Sequence, residues 1–197
     1  MIVRVKMKLL HRSFYERNTV EVGHDLIGKI MVRIVDKHML SGMIVETEAY
    51  QFGDQASHAY EKITKRNQAL FGPSGHLYIY TLHGHHCVNL VAHDADTKAG
   101  GVLIRALEPL EGIEYMQKQR GDVTLRNLTN GPGKLCQALQ ITSKLYGHDV
   151  THVGELYVVE NKKELQGSVI ASKRIGISKA QDRLWRFTLE GNEFVSR

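Results

Sequence analysis

Apolar and polar residues alternate in short runs along much of this chain, and that pattern predicts β-strands. The clearest runs, 29–35 and 39–49, are rich in β-branched residues and flank Asp36 and Lys37, a pair that suits a tight hairpin turn. The same pattern predicts further strands at about 76–82, 86–92, 102–107, 155–160, 168–172 and 184–190.

Helical segments are fewer and stand apart from these runs. Residues 13–27 are predicted to form a helix with Ser13 as its N-cap. Three further helices are predicted: at 66–71, at 109–120 with Pro109 in the first turn, and from just after Gly133 through Leu139. Consecutive strands with the helices set apart predict an α+β domain around a mostly antiparallel sheet.

The first twelve residues form a separate segment. Basic Arg4, Lys6 and Lys8 alternate with apolar residues, which predicts a short strand with one solvated face. We therefore divide the chain into an N-terminal extension, 1–12, that could add an edge strand, and one domain, 13–197. The length of 197 residues suits a single hydrophobic core.

Composition excludes several classes of protein. Hydrophobic residues make up 42% and charged residues 24%, which is ordinary globular usage and excludes a disordered chain, a collagen or a coiled coil. No apolar run approaches the ~20 residues that a membrane-spanning helix needs. The formal charge of +5 favours a polyanionic partner, either nucleic acid or a membrane surface. The two cysteines, Cys87 and Cys136, cannot make a disulfide framework, which favours a reducing compartment.

Two carboxylates occur together in the second predicted strand. Because alternate side chains of a strand share a face, Ile44, Glu46, Glu48 and Tyr50 are predicted to point the same way. A carboxylate at the end of such a strand could serve as a general base if partial burial tunes its pKa. The alternative is a solvated strand face without chemistry.

Aromatic, histidine and cysteine side chains cluster in residues 76–89. Tyr78 and Tyr80 share a predicted strand face, which suits either packing or the stacking of a planar base. Imidazoles and a thiol are good zinc ligands, and the candidates are His83, His85, His86 and Cys87. Strand alternation separates His86 from His85 and Cys87, and no paired CxxC is present, which weighs against zinc.

Basic residues supply two further candidates. Arg105 lies within an apolar strand and needs a carboxylate partner, for which Glu48 and Glu108 are available; a purely structural ion pair is an equal alternative. The turn at 130–134 could hold a phosphate on its free N–H groups or could simply cap a helix. Other basic residues could follow a phosphate backbone: Lys62, Lys65, Arg66, Lys118, Arg120 and Arg126.

Seven motifs, taken in order, link these segments. They are VETEAY at 45–50, SH at 57–58, LYIY at 77–80, LIRALEPLEG at 103–112, NGPGKL at 130–135, RIGI at 174–177 and FVSR at 194–197. In combination they closely resemble the alkyladenine (3-methyladenine) DNA glycosylase family of the mammalian type, which is also widespread in bacteria. The resemblance covers roughly residues 13–197.

This resemblance implies a compact domain with a curved, mostly antiparallel sheet flanked by helices. It implies a monofunctional enzyme that flips alkylated or deaminated purines out of duplex DNA and hydrolyses their N-glycosidic bond in base excision repair. A base inside the stack is out of reach of an active site and must be flipped first. The resemblance further implies a monomer acting on damaged double-stranded DNA, with no metal or other cofactor and no membrane, in the bacterial cytoplasm at the nucleoid.

The resemblance also implies roles for particular residues. Glu48 matches the general base that deprotonates water, while Arg105 and the backbone carbonyl of Ile175 match the groups that hold this water. Three residues match those that sandwich the flipped base: Tyr50, His58 and Tyr80. Asn89 matches an asparagine that clashes with the 2-amino group of guanine. Phosphate contacts are implied for Thr64, Arg66, Gly131, Gly133 and Lys134.

One position departs from the mammalian pattern. His83 stands where mammalian members insert a tyrosine into the gap that the flipped base leaves. Histidine is smaller and can carry a charge. The spacing from His83 to Asn89 is also one residue shorter than in the mammalian form.

Other functions remain open on the residues alone. A non-catalytic nucleic-acid-binding domain on the same scaffold would lose nothing when Glu48 becomes Gln. A metal-dependent hydrolase built on His83, His85 and Cys87 would lose its activity to a chelator. A bifunctional glycosylase-lyase would need an amine nucleophile, and the matched pocket segments contain no lysine.

Overall fold

Eight strands pair antiparallel throughout the described part of the chain, residues 8–196, in a computed structural model of the protein. They join in one curved sheet, which confirms the predicted α+β class. The strands are β1 Ile30–Val35, β2 His38–Gln51, β3 Leu77–Leu82, β4 His85–Val91, β5 Gly100–Glu111, β6 Leu156–Val159, β7 Val169–Ser172 and β8 Arg186–Leu189.

The long strand β2 is the centre of the sheet. One edge of β2 pairs with β5 along most of its length, while the other edge pairs first with β1 and then with β8. The strand order is β3-β4-β5-β2-β1-β6, with β7 beside β8. The predicted β1–β2 hairpin is confirmed, because Asp36 and Lys37 both have positive φ, at 49° and 66°, as a two-residue turn of this kind requires.

The helices are short and lie outside the sheet. They are α1 Arg12–Tyr15, α2 Thr19–Asp25, α3 Ile113–Arg120 and α4 Pro132–Ala138, with 3-10 turns at Gln68–Phe71, Leu125–Asn127 and Ser143–Leu145. Helices α2 and α4 pack on the sheet, and their Val22 and Leu135 are fully buried in the main core with Ile104 of β5. No helix within residues 8–196 is both long enough and apolar enough to cross a bilayer.

Two helix predictions were wrong. The segment 13–27 divides into α1 and α2, because Asn18 leaves the helical conformation and accepts a hydrogen bond from the N–H of Val20 as the N-cap of α2. Ser13 lies inside α1, whose N-cap is His11.

The helix predicted from residue 109 begins later. Strand β5 continues through Pro109, which lies opposite Gly42 beside an irregularity in the pairing where a proline is tolerated. Helix α3 starts only after Gly112, whose φ of 76° places it in the left-handed region.

The end of the N-terminal extension lies along the free edge of β6. The N–H of Leu10 donates to the carbonyl of Val158, and the N–H of Glu160 donates to the carbonyl of Lys8. Leu9 forms an isolated bridge with Val159. The rest of the predicted edge strand, residues 1–7, lies outside the described residues, so that strand stays a prediction.

Candidate active site

Two irregular positions in the β2–β5 pairing shape the site. The register shifts between Ile44 and Glu46, where Val45 of β2 has no partner on β5. It shifts back between Glu46 and Thr47, where Arg105 of β5 has no partner on β2. Such bulges re-aim side chains. The shared face predicted for Glu46, Glu48 and Tyr50 is confirmed by their contacts with Arg105 and with one another.

Ile44 does not belong to that face. It is fully buried in the main hydrophobic core. The prediction that it would lie beside Glu46 was wrong, because the irregularity at Val45 breaks the strict alternation between the two residues.

Glu48 is a fully buried carboxylate surrounded by hydrogen-bond donors. Its Oε2 accepts from the Tyr50 hydroxyl at 2.7 Å and from Nη1 of Arg105 at 3.2 Å. Its Oε1 accepts from the backbone N–H of Ile175 at 2.7 Å. Because all three partners donate, they match the ionised form of the carboxylate, which only accepts.

Arg105 is buried between two carboxylates. It donates from Nε to Glu46 at 2.9 Å and from Nη1 to Glu48 at 3.2 Å. Burial alone would lower the pKa of Arg105, but the charges of Glu48 and Glu46 raise it. Of the two partners predicted, Glu48 is confirmed and Glu108 is wrong, because Glu108 instead accepts from the side chain of Asn192 at 2.7 Å.

A second buried ion pair holds the segment that carries Ile175. Arg174 donates to both carboxylate oxygens of Asp54, and both side chains are inaccessible to solvent. Its guanidinium also lies 4.5 Å from the ring centroid of Tyr50 and 5.2 Å from that of Trp185. Asp54 and Arg174 therefore fix Ile175 and Tyr50, two of the three partners of Glu48.

An aromatic cavity of about 590 Å³ opens above Glu48. This volume is typical of a small-molecule site. Tyr50, His58, Tyr80 and Asn89 all line it, so the structure brings the predicted stacking and selectivity residues together. His58 contacts Tyr80 edge-on with ring centroids 4.7 Å apart.

The histidine and the tyrosines of this cavity are held neutral. Burial, with a smaller effect from Arg66, lowers the pKa of His58. Burial raises the pKa of Tyr78 to about 12, and it also raises the pKa values of Tyr50 and Tyr80. The hydroxyl of Tyr78 lies 2.8 Å from Nδ1 of His58. The aromatic walls of the cavity are therefore polarisable and uncharged at neutral pH. Charged side chains also line it, namely Glu48, Arg66, Arg105 and Lys179.

The β3–β4 hairpin presents His83 to solvent at its tip. His83 and Gly84 form the two-residue turn and both have positive φ, at 48° and 80°. His83 is exposed, and the neighbouring Leu82 is half exposed at the rim of the cavity. The hairpin therefore projects beside the aromatic cavity, where a wedge would have to lie.

The residues predicted to bind phosphates lie in two places near the cavity. Thr64 and Arg66 belong to an exposed loop whose Asn67 accepts from the Thr64 hydroxyl at 2.9 Å and donates to the carbonyl of His58 at 2.6 Å. Arg66 lines the cavity, and its guanidinium lies 5.9 Å from the ring centroid of Tyr80.

The second place is the start of α4, which carries Gly131, Gly133 and Lys134. Close packing explains why residue 133 is a glycine, because a Cβ atom there would lie 2.8 Å from Cβ of His85. Nζ of Lys134 donates to the side chain of Asn130 at 2.8 Å. Burial, together with the charge of Arg120, lowers the pKa of Lys134.

The zinc candidates of the hairpin do not converge. Cys87 is buried in the wall of the aromatic cavity, whereas His85 is exposed and borders a different cavity with His86. Within residues 8–196, no group of three or more histidine, cysteine or acidic side chains is placed to hold a metal ion. Both cysteines are buried free thiols.

Several residues of the site could not be recognised from the sequence pattern. Glu46 was not assigned as the partner of Arg105, and Asp54 and Asn67 were not singled out. Arg174 and Ser196 lie in two of the motifs without an assigned role. A fully buried aspartate has no local signal in the sequence. Lys179, also missed, is exposed and lines the cavity.

Comparisons with known proteins add a family match and several relatives. Residues 13–193 match the family model described as "Methylpurine-DNA glycosylase (MPG)". A relative from Carboxydothermus hydrogenoformans is 44% identical over 190 residues, covering 96% of this chain and 99% of its own. Relatives from Chlorobaculum parvum and Methanoculleus marisnigri are 46% and 45% identical over 194 residues, covering 96% and 95% of this chain and 91% and 98% of their own. Each of the three is named "Putative 3-methyladenine DNA glycosylase".

Proposed function

Because the chain belongs to the methylpurine-DNA glycosylase family and is a DNA glycosylase of base excision repair, we propose that it flips alkylated or deaminated purines from duplex DNA into the aromatic cavity. It then hydrolyses their N-glycosidic bond. The observation that carries this proposal is the carboxylate of Glu48, which is fully buried, accepts three hydrogen bonds and lines a cavity of about 590 Å³ with aromatic walls. The name of the relatives suggests 3-methyladenine as the first lesion to test.

In the chemical step, water attacks C1′ of the flipped nucleotide. Glu48 takes the proton of that water, while Arg105 and the backbone carbonyl of Ile175 hold the water in place. A bond forms between the water oxygen and C1′, and the bond from C1′ to the purine breaks with its electron pair leaving on the base. An alkylated purine that carries a positive charge leaves as a neutral base, whereas a neutral lesion must gain a proton.

The cavity would select its base by stacking. Tyr50, His58 and Tyr80 provide aromatic faces for a purine, and aromatic faces attract a cationic base. His58 adds no opposing charge, because burial lowers its pKa and keeps it neutral. Asn89 would exclude guanine through its 2-amino group; its Nδ2 donates to the carbonyl of Tyr78 at 3.2 Å, which fixes the side chain beside the cavity.

The surface around the cavity would hold the duplex. His83 would enter the gap left by the base, and apolar or aromatic groups at such a tip stabilise an unstacked step. Thr64, Arg66 and the α4 turn with Gly131, Gly133 and Lys134 would contact phosphates, so binding should weaken as salt rises. The enzyme would act as a monomer at the nucleoid, where its DNA substrate is found.

The enzyme would be monofunctional, with water as its nucleophile. A lyase needs an amine that attacks C1′ to form a Schiff base, and such amines are activated by desolvation. Lys179 lines the cavity, but its side chain is exposed to solvent. The buried Glu48 instead lies where it can activate water.

The proposal is tested by single-turnover base release from duplexes that contain 3-methyladenine, 7-methylguanine, ethenoadenine or hypoxanthine. An undamaged duplex and a reaction with a chelator serve as controls. We expect release from at least one lesion, at the same rate with the chelator, and none from the undamaged duplex. Tight binding with no release from any of the four lesions would contradict the proposal and favour a non-catalytic DNA-binding role.

A further inference from the structure

Glu46, two residues before Glu48, is a fully buried carboxylate with four hydrogen-bond donors. Its Oε1 accepts from Nε of Arg105 at 2.9 Å, from Nε of Arg186 at 2.8 Å and from the hydroxyl of Ser196 at 2.9 Å. Its Oε2 accepts from the backbone N–H of Ser196 at 2.7 Å. A buried carboxylate with this many donors is held in one orientation.

These contacts fix the guanidinium plane of Arg105. Its Nε donates to Glu46, its Nη2 donates to the hydroxyl of Ser196 at 3.4 Å, and its Nη1 is left to donate to Glu48 at 3.2 Å. Since a guanidinium is rigid and planar, two fixed nitrogens determine the direction of the third. The nitrogen that faces Glu48 is therefore aimed by groups that do not touch Glu48 themselves.

Ser196 is itself held by the sheet. Nη2 of Arg186, on β8, donates to the carbonyl of Ser196 at 3.4 Å, and Nη1 of Arg186 donates to the hydroxyl of Ser172, on β7, at 3.1 Å. The segment after β8 is thus tied to β2 through Glu46 and to β7 through Arg186. Two partners of Glu46, Arg186 and Ser196, are therefore themselves held in place by other contacts.

We infer that Glu46 is a positioning residue for catalysis, which acts with Ser196 to hold Arg105 so that a single nitrogen faces Glu48. The inference rests on the proposed function of Glu48 and Arg105. Without Glu46, Arg105 is free to turn and pair with both oxygens of Glu48, as arginine and carboxylate groups commonly do. Glu48 would then be engaged by Arg105 and less able to accept a proton from water.

The first test measures single-turnover base release at saturating enzyme for E46Q and S196A, together with affinity for the lesion duplex. We expect E46Q to lower the rate about 10- to 100-fold, since small misplacements of catalytic groups have effects of this order. S196A, which keeps the backbone donor to Glu46, should lower the rate about three- to tenfold. The affinity of both variants for lesion DNA should stay within about twofold of wild type, because neither residue would contact DNA.

The matched control is E108Q. Glu108 lies on β5, as Arg105 does, and accepts a hydrogen bond from Asn192, so the same change of charge is made outside the site. E108Q should release base at the wild-type rate. Thermal unfolding of each variant shows whether it is folded at the assay temperature; if E46Q is not, S196A carries the test.

A double-mutant cycle with R105A separates positioning from a general structural role. If Glu46 acts through Arg105, adding E46Q or S196A to R105A causes little further loss of rate. The inference would be overturned if the fold-loss of rate in the double variant equalled the product of the losses in the two single variants. It would also be overturned if folded E46Q and S196A released base at the wild-type rate. Failure of the proposed function looks different, because the wild type would then release no base, or E48Q and R105A would release base as the wild type does.

Discussion

Removing the charge of Asp54 should lower both the stability of the fold and the rate of base release. Asp54 pairs with Arg174, both side chains are inaccessible to solvent, and Arg183 lies 4.0 Å from the same carboxylate. In Asp54→Asn the buried guanidinium of Arg174 has no counter-charge. Because Arg174 packs on Tyr50 and precedes Ile175, both partners of Glu48 would shift.

The size of the effect follows from burial. Breaking a buried ion pair by removing one partner costs about 3–5 kcal/mol. For a domain of this size each kcal/mol lowers the melting temperature by about 2–4 °C, so the expected fall is roughly 6–20 °C. Calorimetry of Asp54→Asn measures the melting temperature, and single-turnover base release below that temperature measures the rate, expected to fall at least tenfold.

The matched control is Asp182→Asn, the same change at an exposed site. It should change the melting temperature by no more than about 2 °C. A fall of less than 3 °C in Asp54→Asn, or an unchanged rate of base release, would refute the role of this ion pair.

Three further predictions concern the wedge, acid stability and the nucleophile. His83→Ala should weaken binding to lesion duplex about five- to tenfold, at the low end of base-stacking energies, without lowering the melting temperature; unchanged affinity would argue against the wedge. Burial alone would raise the pKa of Asp149, but Thr151 and Arg12 lower it. Ionised Asp149 therefore stabilises the folded protein fully above pH ~3.9, and this stabilisation is lost as the pH falls below that value. The difference in urea midpoint between wild type and Asp149→Asn should therefore narrow from pH 6 to pH 3; a constant difference would contradict this. Borohydride should trap no enzyme–DNA adduct, and an adduct lost in Lys179→Ala would show a lyase.

Much of the site could be predicted where a local pattern carries it. Strand alternation placed Glu46, Glu48 and Tyr50 on one face, and an arginine within an apolar strand indicated a buried ion pair for Arg105. The hairpin at Asp36 and Lys37 could be predicted from its turn residues, whereas the one at His83 and Gly84 was not predicted. Strand alternation failed for Ile44, because the β-bulge between Ile44 and Glu46 leaves no mark in the pattern of apolar and polar residues.

The remaining contacts depend on the tertiary fold. Asp54 and Arg174 are 120 residues apart, and Glu46 and Ser196 are 150 residues apart. No periodic pattern links such pairs, because only the curvature of the sheet and the path of the connecting segments bring them together. Pro109 shows the same limit, since its place beside an irregular pairing depends on a partner strand about 67 residues away in the chain.

The most direct test of the account compares wild type with Glu48→Gln in single-turnover base release, with a chelator present and with affinity for the lesion duplex measured in parallel. A general base contributes about 10²–10⁴-fold to a rate. We predict a loss of this size in Glu48→Gln, with the affinity retained and the wild-type rate unaffected by the chelator. Equal release by the two proteins would contradict the assignment of Glu48, and a wild-type rate abolished by the chelator would contradict metal-free hydrolysis.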